Sequence, residues 1–235
     1  MKNNKIKTMA YMALYVALYV VLKYVGNLIP FLDMPNGGSI ELELIAVFIA
    51  SYHLGWFKGL LIGLLSWVIT IVMGFEMWFV SPMQVILDYA GPLAVCGMAS
   101  LLWPFKEVKK PVAAVLSATI ALGAYFGIVN SWGSSIMTIV LALAVAVGSG
   151  AFTFWFVIKK KKFGIVIAML LKYVMTVLSG VFFWFPETAT AGSAAAWTFS
   201  IGYNLWYNLV TMIVCVIVVP LLIDRLEKAN IKFVA

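Results

Sequence analysis

Gln84 and Asp88 stand four residues apart in an otherwise apolar stretch, so on a helix they share one face about a turn from its end. A carboxylate held at that depth is costly unless it is paired or serves a ligand, which makes Asp88 a candidate binding group. The competing role is that of an anion accepting backbone N–H groups near a helix start. A second set lies in the run Trp197–Asn208, where Asn204 and Asn208 fall one turn apart on one face and Tyr203 and Tyr207 on the adjacent one. Amides in such surroundings either hydrogen-bond across helices or line a binding wall. Trp184, inside Phe182-Phe183-Trp184-Phe185-Pro186, adds a flat ring, although tryptophan is also the usual residue of an interfacial belt. Flat aromatic walls, a carboxylate and amide hydrogen bonders suit a small, flat, cationic or amino-substituted heterocycle. Ring faces attract a cation within about 6 Å, and a carboxylate accepts from an exocyclic amine while balancing its charge. Lys23 and Lys172 are the basic residues in nearby segments, so an anionic solute fits less well.

The elements that must position these groups are helices in a bilayer. Hydrophobic residues make up 64% of the chain and the mean hydropathy is +1.06, the composition of an all-α, polytopic transmembrane bundle. With about 20 apolar residues needed per crossing, eight spans are expected, at 8–29, 41–54, 57–74, 82–103, 111–128, 134–158, 163–185 and 197–223. The cations Lys2/Lys5/Lys7, Lys58, Lys106/Lys109/Lys110, Lys159 to Lys162 and Arg225/Lys228/Lys232 crowd alternate connections, and by the positive-inside rule these face the cytoplasm, with both termini. Asp33, Glu41, Glu43, Glu76, Asp88 and Glu187 fall on or just inside the other face, which places the candidate pocket outside. The short second span, ending in Ser51-Tyr52-His53, is required to keep Lys58 on the inner side. The first segment starts with lysines, yet no small-residue cleavage site ends it, and it reads as a retained helix rather than a signal peptide.

The same residues narrow the function classes. A net charge of +7 spread over short connections is a topology signal and calls for no nucleic acid. Cys96 and Cys215 sit singly in apolar runs, which suggests neither a disulfide framework nor a metal cluster. His53, the only histidine, stands at an inner helix end, where a capping role is expected over ligation or proton relay. No phosphate-cradling Gly-x-x-x-x-Gly-Lys-Ser/Thr pattern occurs, so energy from ATP would have to come from a partner. No nucleophile with a base and no catalytic constellation is visible, so no enzyme, cofactor or catalytic residue is assigned. Ala13 and Ala17 are small residues four apart that let another helix approach closely, and Gly59/Gly63 and Gly123/Gly127 repeat the spacing.

At these residues the chain resembles the substrate-binding S components of energy-coupling factor (ECF) transporters, specifically the thiamine-specific ThiT/YuaJ family. The resemblance lies in Ala13-Leu-Tyr-Val-Ala17, in Met34-Pro-Asn-Gly-Gly-Ser-Ile followed by Glu41, in Gln84-Val-Ile-Leu-Asp88-Tyr89, in Lys172 through Gly180 to Trp184, and in Phe199-Ser-Ile-Gly-Tyr203-Asn204. It implies a six-helix core over about 1–105 and 163–223, with 106–162 an inserted two-helix hairpin. It also implies a protein of the bacterial plasma membrane that binds thiamine or a related aminopyrimidine or thiazole compound outside. Release inside would require a transmembrane coupling subunit and two ATPases. By the same resemblance Trp184 stacks on the ligand rings, Asp88 grips the aminopyrimidine beside Tyr89, and Asn204 lines the pocket. Gln84, Glu41, Phe199 and Tyr203 complete the ligand-binding set, and Ala13 and Ala17 form the partner-docking seam. Asp88 stands where the family usually has glutamate, Thr176 where it has histidine, and Phe199 where it has tyrosine. Gly37 and Gly38 fall near an expected aromatic residue, with Glu76, Trp78 or Trp197 as compensating candidates. The alternative function is a stand-alone ion-coupled secondary transporter of a small heterocyclic cation, although no inverted repeat or broken-helix pair is visible.

Overall fold

A computed structural model describes residues 2–35, 37–75, 77–78, 80–102, 110–132, 135–159 and 162–234. It is all-helical, with helices at each of the eight expected places: α1 (Lys2–Asn27), α2 (Leu44–Leu54), α3 (Trp56–Val72), a segmented rod over 82–102, α7 (Lys110–Trp132), α8 (Ile136–Lys159), α9 (Gly164–Phe183) and α10 (Ala194–Lys228). The rod consists of α4 (Pro82–Val85), a π-helical turn (Ile86–Ala90), α5 (Gly91–Gly97) and α6 (Ala99–Leu102). Two compact units result, Met1–Pro104 with Gly164–Ala235, and Phe105–Phe163. In the second unit α7 and α8 pack along each other, and a Cβ on Gly150 would meet Ala121 Cβ at 3.1 Å.

Among the described residues, four helices are long and apolar enough to cross a membrane: Lys5–Asn27, Ile136–Trp155, Gly164–Phe183 and Ala194–Lys228. The second expected span differs most. Its helix has 11 residues, about 16 Å at 1.5 Å per residue, roughly half of a hydrocarbon core. All of Leu44–Leu54 is buried, with α1, α3, α5, α6 and α10 packed around it. A helix buried on every side in this way is a central post of the bundle. The turn that precedes it carries Glu41 and Glu43 into a cavity.

Close helix approach depends on small residues. A Cβ on Gly59 would overlap the Gly97 carbonyl, and one on Gly63 would lie 2.7 Å from the Leu93 carbonyl, so this small-residue spacing is an internal seam between α3 and α5. Gly123, with the same spacing, faces open space, and Ala13 and Ala17 lie on an exposed stripe of α1. At the C-terminal end of α2, His53 accepts or donates a 2.8 Å hydrogen bond with Tyr15. Its ring packs between Tyr11 and Phe233, and the chain end returns to bond Val234 N–H to the Tyr52 carbonyl at 3.1 Å.

The α9–α10 contact is the tightest near the cavity. A Cβ on Gly180 would overlap Ser200 Oγ, and it would lie 3.1 Å from Asn204 Nδ2. Ser200 Oγ is fixed there by donating to the Val177 carbonyl at 2.7 Å. Gly180→Ala is therefore expected to destabilise the protein by about 1–3 kcal/mol, the usual cost of overpacking. Thermal unfolding of the detergent-solubilised protein measures it, and Gly180→Ala/Ser200→Gly should recover most of the loss.

Candidate functional site

A cavity of about 590 Å³ opens at one end of the larger unit. Helical periodicity delivers most of its lining. Tyr19, Lys23 and Asn27 project from α1 at four-residue steps, and Lys172, Thr176 and Gly180 do the same from α9, with Trp184 just past its end. Helix α3 contributes Trp67, Thr70 and Ile71, and α10 contributes Phe199, Tyr203, Asn204 and Tyr207. The α1–α2 connection supplies Asp33, Met34, Gly37, Gly38, Ser39, Glu41 and Glu43. Phe75, Met77 and Trp78 come from the loop after α3.

Asp88 and Tyr89 enter from the π-helical turn. The cause of that turn is legible in the chain: Pro92 has no N–H, so the Asp88 carbonyl four residues earlier loses its α-helical donor, and the proline ring crowds it. The backbone widens, and Gly91 N–H bonds back to the Ile86 carbonyl. Such π turns recur at functional positions. Here the widened turn presents Asp88 to Trp184, whose Nε1–H donates to Asp88 Oδ2 at 3.0 Å. Tyr89 is committed to the neighbouring loop, donating to the Trp78 carbonyl at 2.9 Å and accepting from Trp78 N–H at 3.1 Å.

A second polar network joins α9, α10 and the approach to α2. Lys172, 2% exposed, pairs with Glu41 at 3.0 Å, donates to Asn208 Oδ1 at 2.8 Å and lies 5.5 Å from the Tyr207 ring centre. Asn208 Nδ2 donates to Thr176 Oγ1 at 3.2 Å and to the Asn204 carbonyl at 2.9 Å. Asn204 donates to Ser200 and accepts from the Tyr207 hydroxyl. On the α1 side Lys23 pairs with Glu43 at 2.9 Å.

The α1–α2 connection bends across the aromatic wall. Asp33 and Ser39 form an isolated antiparallel bridge, and Gly37 and Gly38 take φ of +89° and +85°, a conformation natural to glycine. The Gly37 carbonyl accepts from Tyr203 OH at 2.9 Å. A Cβ on Gly38 would stand 2.9 Å from the Tyr207 ring, so the loop lies directly against it. Phe199 and Tyr203 are stacked, with centroids 5.5 Å apart and planes 18° apart.

Among the described lining residues, four carboxylates (Asp33, Glu41, Glu43 and Asp88) face two ammonium groups (Lys23 and Lys172). The cavity is therefore formally anionic and walled by aromatic rings, an arrangement for a flat cation with hydrogen-bond donors. Of the ligand-binding candidates from sequence, Glu41, Asp88, Tyr89, Trp184, Phe199, Tyr203 and Asn204 all line it. Gln84 does not: it is fully buried, and its side-chain carbonyl accepts from Val80 N–H at 2.7 Å. Thr176, Gly37, Gly38 and Trp78 line the cavity, Trp197 does not, and Glu76 lies outside the described residues. Sequence reasoning missed Tyr19, Asn27, Trp67 and Thr70. The signal available for the first two was the polar i, i+4, i+8 stripe that they form with Lys23 in an apolar helix.

The whole chain has known relatives. The thiamine transporter ThiT of Bacillus subtilis (strain 168) is 28% identical over 221 residues, which is 93% of this chain and 92% of that protein. A solved structure of ThiT from Listeria monocytogenes shares the fold at a TM-score of 0.57 and 19% identity, covering 96% of this chain and 97% of that one. The model of the thiamine transporter protein family (Thia_YuaJ) matches residues 9–231, so this chain, with its helical bundle and its cavity, is a member of that family and a multi-pass protein of the bacterial cell membrane.

Proposed function

We propose that the protein is the substrate-binding subunit of an ECF-type importer, taking up thiamine and doing no chemistry on it. The observation that carries the ligand is the Asp88–Trp184 pair in an anionic, aromatic-walled cavity of about 590 Å³, within the roughly 300–1,000 Å³ typical of small-molecule sites. Thiamine matches it group by group: the aminopyrimidine amine donates to Asp88, the rings lie on Trp184 and the Phe199/Tyr203 stack, and the positive thiazolium answers the carboxylates. Orientation is supported by helix polarity. Lys5 and Lys7 stand at the start of α1, Lys58 at the start of α3 and Arg225 and Lys228 at the end of α10. The cavity draws on the opposite ends of those helices and so opens outward when the cations face in.

Release inside is assigned to a transmembrane coupling subunit with two ATPases, because the sequence carries no phosphate-binding loop of its own. The docking seam is the exposed Ala13/Ala17 stripe of α1. The Phe105–Phe163 unit is read as a hairpin inserted between the fourth and fifth helical passes of a six-pass core.

Thiamine titration into the detergent-purified protein, followed by tryptophan fluorescence, tests the ligand. Saturable quenching at submicromolar thiamine, weakened in a folded Trp184→Ala variant, is the expected result. A folded wild-type protein with no saturable response to thiamine, by fluorescence or calorimetry, refutes the ligand assignment.

A further inference from the structure

The cavity's two lysines are not equivalent. Lys172 is sequestered: its side chain is 2% exposed and held by Glu41, Asn208 and the Tyr207 ring. Lys23 retains 26% exposure in the cavity wall, and its partner among the described residues is Glu43 at 2.9 Å. Glu43 is 4% exposed, so its charge is answered by this ammonium rather than by water. Lys23 thus stands as an accessible cation inside a site whose net charge is negative. A ligand cation entering the cavity meets the field of Glu43 already offset by a tethered one.

We propose that Lys23 is a built-in competitor, whose ammonium occupies the acidic pole formed with Glu43 and thereby sets how strongly the cavity prefers a charged ring to a neutral ring of the same shape. The inference rests on the thiamine reading. Its physical content is that Lys23 and Glu43 act on ligand charge with opposite signs. Across an effective dielectric near 20, adding or removing one unit charge about 12 Å from the ligand cation changes affinity by roughly tenfold, and a nearer charge by more. Lys23→Met deletes the competing cation and leaves the Glu43 field for the ligand. Glu43→Gln deletes the attraction and leaves the ammonium facing the cavity. A pair that merely fastened α1 to α2 would give the same sign for both changes.

The test measures dissociation constants for thiamine and for its isostere with a neutral thiophene ring in place of the thiazolium, by calorimetry on full-length protein. The ratio of neutral-ligand to thiamine Kd should rise about tenfold in Lys23→Met, fall about tenfold in Glu43→Gln, and return close to wild type in Lys23→Met/Glu43→Gln. Should Lys23→Met fail to fold, Glu43→Gln and the double variant carry the same contrast. A ratio that moves less than twofold in the folded variants, or in the same direction in both single variants, overturns the proposal and leaves the pair a fastening between helices. Wild-type binding of both ligands with an unresponsive ratio sinks this inference alone. A wild type that binds neither ligand refutes the thiamine reading, and this inference with it.

Discussion

Lys172→Met is expected to lower the thermal unfolding midpoint by about 6–12 °C. Breaking a buried ion pair by removing one partner costs about 3–5 kcal/mol, and each kcal/mol shifts the midpoint of a chain of this size by about 2–4 °C. The lower figure applies because Glu41 keeps 24% exposure and can turn its freed charge to cavity water. The remaining loss falls on Asn208, whose Oδ1 loses its 2.8 Å donor, and on Tyr207, which loses the cation above its ring. Because these groups tie α9 and α10 to the approach to α2, the variant should also weaken ligand binding. Glu41→Gln added to Lys172→Met removes the stranded carboxylate and should recover at least half of the midpoint. Differential scanning fluorimetry on the solubilised protein reads both changes. A Lys172→Met midpoint within 2 °C of wild type would mean that the pair contributes little beyond its own desolvation.

The positions of the helices were legible because the bilayer imposes two independent signals, apolar length and the side on which cations collect. Those signals locate a segment without saying whether it crosses. The 41–54 span carries Glu41 and Glu43 at one end and Ser51-Tyr52-His53 at the other, and between them α2 is a buried post of half the crossing length. Site residues were legible where chemistry coincides with helical spacing, as for Trp184 and the Phe199, Tyr203, Asn204 run. Gln84 shows the limit of that rule. Spacing of four puts it on the side of Asp88, yet its amide is buried and its carbonyl is taken by Val80 N–H, so it does not line the cavity. Asn204 and Asn208 carried two open readings, and the contacts divide them. Asn208 is fully engaged between helices, whereas Asn204 both lines the cavity and serves the network. The loop that bends over Tyr207 depends on positive φ at Gly37 and Gly38 and on one hydrogen bond to Tyr203, tertiary facts that local pattern does not encode.

Asp88→Asn is expected to weaken thiamine binding by roughly 10- to 150-fold while leaving the fold intact. A hydrogen bond to a charged group contributes about 1.5–3 kcal/mol, and each 1.4 kcal/mol is a factor of ten. The carboxamide keeps an oxygen for the Trp184 Nε1–H now bonded to Asp88 at 3.0 Å, so the geometry survives and the charge does not. On the thiamine reading, what is lost is the acceptor that would receive the pyrimidine amine and balance a cation. Asp88→Glu probes reach. One added methylene moves the carboxylate further from the π turn and keeps its charge, so binding should stay within about tenfold of wild type, far above Asp88→Asn. Trp184→Phe separates the two functions of that residue: it keeps an aromatic face and deletes the N–H that aims the carboxylate. It should therefore cost less than Asp88→Asn, and the double variant should cost less than the two losses combined, because both act through one interaction. Calorimetric Kd values for the four variants, each with an unfolding midpoint near wild type, decide the matter. Equal affinities for Asp88→Asn and wild type would remove Asp88 from the binding site and leave its bond to Trp184 as a tie between α9 and the rod.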